Sequence, residues 1–176
     1  MPAASAAQLE DQARGGDAEA FGRLLRLYDD ELRGVVWSIL RDRHAVDDAM
    51  QASYEKAFRA IGRFRGESAL KTWLHSICYR TAVDLARFES RRTHPPVDPE
   101  TAATTDPEPE RILARLEAAD ALASLSPEQR GVLYLTSGLG YSFDETASMT
   151  GLNRGTVASR VSRAKERLRL EAIRER

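Results

Sequence analysis

Apolar residues along this chain recur at helical rather than strand spacing. Phe21, Leu24, Leu25 and Tyr28 fall three and four apart, and Leu32, Val35, Val36, Ile39 and Leu40 continue the pattern. A third helix is predicted over about 45–60, with Met50, Tyr54, Ala57, Phe58 and Ile61 on one side. Its opposite side carries Asp48, Gln51, Glu55 and Arg59. After a break from Gly62 to Ser68, a fourth helix has Leu74, Ile77, Thr81, Leu85 and Phe88 as its predicted apolar stripe. Its polar faces hold Ser76, Arg80, Asp84, Arg87 and Arg91. No alternating pattern of useful length appears, so the expected class is all-α.

Punctuation is sharper towards the C-terminus. Ser126-Pro127-Glu128-Gln129 joins a capping serine, a proline at the first helical position and a glutamine three residues after the cap. Ser142-Phe143-Asp144-Glu145 repeats the capping logic ahead of a short helix carrying Ala147 and Met149. Gly151 should stop that helix, and Asn153 can cap the next, which is predicted from about Arg154 to Arg169. A short helix, a tight glycine turn and a longer basic helix form a helix-turn-helix.

On the last helix, Val157, Val161, Ala164 and Leu168 share one side at 100° per residue and should face the shorter helix. The other side presents Thr156, Ser159, Arg160, Arg163 and Arg167, with Arg154 at the start. Polar and guanidinium groups so arranged can reach phosphates and base edges in a major groove. The plainer reading of the same face is a solvated surface; the caps and turn before it favour DNA binding.

The segment from Thr93 to Glu110 carries Pro95, Pro96, Pro99, Pro107 and Pro109 among Thr, Ala, Asp and Glu, and is expected to be a flexible acidic linker. It divides the chain into an expected flexible N-terminal segment (1–16), an N-terminal helical domain (17–92), the linker (93–110) and a C-terminal helical domain (111–176). Charge follows that division. Residues 17–96 hold 14 basic and 12 acidic groups, 97–125 hold 2 and 7, and 126–176 hold 9 and 6; with 1 and 2 in the first sixteen, the total is −1. Two mildly basic blocks therefore flank an acidic connector.

Composition narrows the function further. At 42% hydrophobic and 30% charged, the chain has the balance of a globular protein. No apolar run approaches the roughly 18 to 20 residues needed to span a bilayer, so no membrane insertion is expected. The first sixteen residues lack the basic start and apolar core of a signal peptide, and a cytoplasmic location is expected. With Cys78 the one cysteine, no internal disulfide can form; His75 and Cys78 share a helix face but lack two further ligands for a closed metal site. No nucleophile motif or Gly-rich phosphate loop is present, so no catalytic residues, cofactor or metal are expected.

The chain resembles extracytoplasmic-function (ECF) sigma factors, group IV of the sigma-70 family, from about Phe21 to Leu168. The C-terminal likeness runs through Leu122-Ala123-Ser124-Leu125-Ser126-Pro127-Glu128-Gln129-Arg130, Glu145-Thr146-Ala147 and Gly155-Thr156-Val157-Ala158-Ser159-Arg160-Val161, with Arg163-Ala164. It is similar to sigma region 4, which reads the promoter element near −35. The N-terminal likeness lies in Asp47-Asp48, Gln51, Tyr54, Phe64-Arg65-Gly66-Glu67-Ser68, Trp73-Leu74, Ile77, Asp84 and Arg87. It is similar to sigma region 2, which binds the polymerase clamp and opens the element near −10.

That resemblance implies partners and roles. Core RNA polymerase would be bound at its beta-prime clamp coiled coil through Asp47, Asp48, Gln51 and Glu55, and at its beta flap. Promoter DNA near −10 would meet Arg63, Phe64, Arg65, Ser68, Ser76, Arg80, Asp84 and Arg87, with the loop from Arg63 to Ser68 capturing a base flipped from the non-template strand. Glycines at 62 and 66, an aromatic ring and two arginines suit such a loop physically. Trp73 is expected to be structural. DNA near −35 would meet Arg154, Thr156, Ser159, Arg160, Arg163 and Arg167. An anti-sigma factor is the expected regulator, since the chain ends soon after region 4. The sequence departs from the family at Ala52, where an acid is common, at Arg80 in place of asparagine, and at Ala158, where a basic residue is common. Arg80 cannot accept a hydrogen bond, so it cannot copy an amide's readout of a base. The contrasting reading, a ligand-responsive repressor, would require a dimer and an apolar sensing pocket that the polar faces of the N-terminal helices do not favour.

Overall fold

A computed structural model describes residues 5–92 and 122–174, and among these no strand is present. The chain divides into two compact units, Met1–Leu85 and Ala86–Arg176. The proposed linker, 93–110, lies outside the described residues, as do the first residues of the proposed C-terminal domain.

The first unit contains α1 (Ala6–Arg14), α2 (Ala18–Leu40), α3 (Arg43–Ala60), a single 3₁₀ turn (Ile61–Arg63) and most of α4 (Leu70–Arg92). Helix α1 corrects the expectation of a flexible segment over 1–16. Ser5 and Gln8 form a reciprocal capping box, and Leu9 and Ala13 are buried. With only two buried positions, one of them alanine, the helix has too thin a stripe to stand out by periodicity; its stability comes from the cap and from packing on α2. The two apolar runs after it belong to one continuous helix, α2, capped by the Asp17 carboxylate, which accepts from the Glu19 and Ala20 amides.

Leu24, Leu32, Val35, Val36 and Ile39 of α2 are fully enclosed, and Val46, Met50, Leu70 and Leu74 close around them. Fully burying each such side chain contributes about 1.5 to 3 kcal/mol. Two predicted stripes are corrected here. Phe58 is 47% exposed, although its ring lies 5.5 Å from Phe21, and Phe88 is 48% exposed. Ile77 and Leu85 are only half-buried, whereas His75, Cys78, Tyr79 and Ala82 are buried with Leu74 and Thr81. Helix α4 is enclosed on a wider arc than one apolar stripe, so it takes in polar-capable residues that have local partners. Lys71 pairs with Glu31 of α2 at 2.6 Å, and Lys56 of α3 donates to the Thr81 hydroxyl at 3.0 Å.

In the second unit, α5 (Pro127–Leu133) runs into a wider π turn (Tyr134–Gly138), then α6 (Phe143–Thr150) and α7 (Arg154–Arg174). Both expected capping boxes, Ser126 with Gln129 and Ser142 with Glu145, are formed. Gly151 ends α6 at φ +75°, where an L side chain would be strained, and the Asn153 side chain accepts from the Thr156 amide at 2.7 Å. Val132, Leu135, Met149, Val157, Val161 and Ala164 form the core that sets α7 across α5 and α6. The helix-turn-helix is therefore built from local signals and closed by one apolar seam.

Candidate nucleic-acid interface

Helix α7 keeps the division read from its sequence. Val157, Val161 and Ala164 are buried and Leu168 half-buried, while Arg154, Ser159, Arg163 and Arg167 are exposed and Thr156 and Arg160 half-exposed. The Ser159 hydroxyl donates to the Thr156 carbonyl at 3.0 Å, so reaching outward would break a local bond. Arg154 sits 3.3 Å from Asp144 across the turn, tying the two helices at their surface. Arg163 and Arg167 are one turn apart on the exposed side, with Glu166 beside them. The face is cationic, but not uniformly so.

In the first unit, Asp47, Asp48, Gln51 and Glu55 are all exposed along α3, opposite buried Val46, Ala49, Met50 and Ser53. Asp47 is held by Arg33 of α2 at 2.6 Å. Glu55 pairs with Arg59 at 3.2 Å and accepts from Gln51 at 3.5 Å. The result is an acidic and amide-bearing row resting on a rigid helix. Tyr54 is half-buried beneath it and donates to Asp29; burial, then that bond, pushes its phenol above the usual range.

The loop after α3 exposes Arg63, Arg65 and Ser68, with Gly66 at φ +75°. Phe64 is half-buried instead. Its ring lies 5.1 Å from Trp73 of α4, and the Arg14 guanidinium of α1 sits 4.8 Å over it. Sequence reasoning missed Arg14, since fifty residues separate it from Phe64. Along α4, Arg80, Asp84 and Arg87 are exposed, while Ser76 is half-buried and donates to the Trp73 carbonyl at 2.7 Å.

Behind this surface, His75 and Cys78 have no chemistry to offer at neutral pH. Burial pushes the His75 imidazole down to about 4, partly opposed by Glu31, so it is neutral. Burial pushes the Cys78 thiol up to about 12, which suppresses the reactive thiolate. Among the described residues no three His, Cys, Asp or Glu groups cluster as metal ligands do, and no helix is long and apolar enough to cross a membrane.

Comparison with known families adds the deciding observation: residues 24–92 match the model of sigma-70 region 2, and residues 115–168 match that of sigma-70 region 4. The chain belongs to the sigma-70 family. Its relatives place this sigma-70 protein in the ECF branch. ECF RNA polymerase sigma-E factor of Haemophilus influenzae is 33% identical over 92% of this chain and 94% of its own length. ECF RNA polymerase sigma factor SigM of Mycobacterium tuberculosis is 32% identical over 87% of this chain and 77% of its own. Among solved structures, CnrH in complex with the cytosolic domain of CnrY superimposes with a TM-score of 0.70 at 26% identity, covering 96% of this chain and 97% of that one. The sigma factor RpoE of Bartonella quintana, in complex with the anti-sigma factor NepR, does so with a TM-score of 0.69 at 26% identity, covering 90% and 100%.

Proposed function

We propose that this ECF sigma factor directs core RNA polymerase to specific promoters in the cytoplasm and promotes their opening, without performing covalent chemistry itself. The observation that carries this reading is the ordered pair of sigma regions, the second containing a capped helix-turn-helix with an arginine-bearing exposed helix. In this reading Asp47, Asp48, Gln51 and Glu55 face the beta-prime coiled coil, and the C-terminal unit also meets the beta flap. Arg63, Phe64, Arg65, Ser68, Ser76, Arg80, Asp84 and Arg87 serve the −10 element. Arg154, Thr156, Ser159, Arg160, Arg163 and Arg167 serve the −35 element.

The mechanism is additive binding by two modest modules that become strong when core polymerase holds both at the right separation. Neither charge block is basic enough for tight binding alone. The free protein should therefore bind promoter DNA weakly at physiological salt, and specific binding should appear with core enzyme. Run-off transcription on genomic fragments with purified core tests this: initiation at a defined subset of promoters is expected. Nanomolar operator binding by the free protein with no core-dependent transcription would instead support a repressor.

Regulation by an anti-sigma factor is part of the proposal, on the strength of RpoE having been solved with the anti-sigma factor NepR. Purification from the native host should recover a second, stoichiometric small protein besides polymerase. Recovery of polymerase alone under both growth and stress conditions would remove this part.

A further inference from the structure

The loop from Arg63 to Ser68 has little of its own to hold it. The Phe64 amide closes the 3₁₀ turn on the Ile61 carbonyl at 3.1 Å, and the Ser68 hydroxyl reaches the Ala69 carbonyl at 3.3 Å. Gly66 adds a left-handed residue, at φ +75°, which glycine adopts freely and also leaves freely. A loop that must receive an unstacked base gains from being held in its receiving shape beforehand, because ordering at the moment of binding costs affinity.

Helix α1 supplies the missing restraint. The helix is anchored by buried Leu9 and, in its last turn, Ala13, and the chain leaves it through a closed C-terminal turn in which the Asp17 amide donates to the Gln12 carbonyl at 3.1 Å. Arg14, in that last turn, places its guanidinium 4.8 Å over the Phe64 ring, while Trp73 lies 5.1 Å from the same ring. The phenyl group is thus engaged by a cation from one helix and an indole from another. Arg14 also sits close to Gly66: a Cβ there would lie 3.2 Å from Nη2. One side chain therefore stacks on the loop at Phe64 and lies close to it at Gly66, two residues apart.

We infer that Arg14 is a positioning residue for promoter opening, clamping Phe64 and Gly66 so that the 63–68 loop is preformed for the unpaired strand. This rests on the reading of that loop as a single-strand contact. It gives α1, which lies before the region 2 match, a functional task.

The test uses the full-length chain, alone and as holoenzyme. Arg14→Gln removes the charge and shortens the side chain while leaving a polar end. Hydrogen exchange of the free protein should quicken over residues 64–68. Opening, followed by 2-aminopurine fluorescence in the downstream element, should weaken about two- to fivefold, the scale of one exposed cation–π contact. Core binding should not change. Arg14→Lys should restore both properties, because an ammonium can also sit over the ring. If Arg14→Gln leaves loop exchange unaltered, the clamp is wrong, even if opening falls, since Arg14 would then be touching DNA directly. The double variant Arg63→Ala, Arg65→Ala separates the two levels. If it impairs opening while Arg14→Gln does not, only the clamp fails; if it too leaves opening unaffected, the reading of the loop fails and the clamp with it.

Discussion

Arg33 of α2 and Asp47 of α3 meet at 2.6 Å, and the pair joins the longest helix of the first unit to the acidic row on its neighbour. Arg33 is also within 3.5 Å of Asp29, so one guanidinium gathers two carboxylates. Asp47 is therefore partly occupied by its own protein. Asp48 and Gln51, three residues apart on the exposed side, are the better probes of polymerase binding.

Changing Asp48 and Gln51 together to arginine should leave melting nearly unaltered, since exposed substitutions usually shift stability by no more than about 0.5 kcal/mol. If the coiled coil of polymerase docks on this row as proposed, the same change should abolish pull-down of core enzyme and run-off transcription, because misplaced interfacial charge can cost several kcal/mol. Normal initiation by a folded double variant would show that the docking row lies elsewhere.

Arg163→Ala tests the exposed face of α7. A bidentate contact to a base should be worth about 1 to 3 kcal/mol of discrimination at one promoter position. Sequencing of transcripts from a randomised −35 library would show relaxed selection at that position. A uniform loss across all sequences would mark a phosphate contact instead, and an unchanged profile would place recognition on another face.

The helix-turn-helix was legible because its determinants are local. Ser142 and Glu145, Gly151 and Asn153 act within a few residues of themselves, and the structure forms each feature they announce. Helix α1 had equally local signals in Ser5, Gln8 and the Gly15-Gly16 pair, yet its two buried positions made no visible stripe. The inner arc of α4 departs from its apolar periodicity for a different reason. Periodicity puts the large apolar residues inside, whereas His75, Cys78 and Tyr79 are buried and Phe88 is 48% exposed. Which arc of a helix is enclosed depends on how many neighbours surround it, and that number is a tertiary property. Contacts such as Arg14 with Phe64, or Lys71 with Glu31, join residues forty to fifty apart and leave no periodic trace.

Acid should weaken the fold through His75. The imidazole is fully buried, facing Glu31 of α2 and Lys71 of its own helix, and titrates at about 4 when folded against 6.5 for the free side chain. Between these values the unfolded chain binds the proton more readily, so stability rises with pH up to about 6.5 and is lost progressively below it. From pH 7 to pH 5 the loss from this group should be about 2 kcal/mol. Urea titrations of wild type and His75→Gln should show a difference in pH slope over this interval; parallel slopes would exclude His75 as the source.

Gly151→Ala isolates backbone strain, since no atom beyond its chain neighbours lies within 4 Å of where the new Cβ would stand. Holding alanine at φ +75° should destabilise the second unit by about 1 to 2 kcal/mol. Denaturant melts followed by tryptophan would miss this, because Trp37 and Trp73 both lie in the first unit; tyrosine fluorescence from Tyr134 and Tyr141 or amide exchange should report it. A midpoint equal to wild type would mean that the turn relaxes to another geometry.

Between α2 and α3 the chain turns in two residues. Arg41 takes φ 55° and donates its amide to the Trp37 carbonyl, while Asp42 accepts from the Ala45 amide at 2.7 Å. So short a corner leaves no slack, and each residue of helix corresponds to a rotation of about 100°. Adding or deleting one residue there would swing Asp48 and Gln51 from the surface towards the core, and Val46 and Met50 outwards. The corner thus works as a gear tooth: the amino acids in it can vary, but its length sets the phase of the whole acidic row, and a single-codon insertion should be far less tolerated there than a substitution.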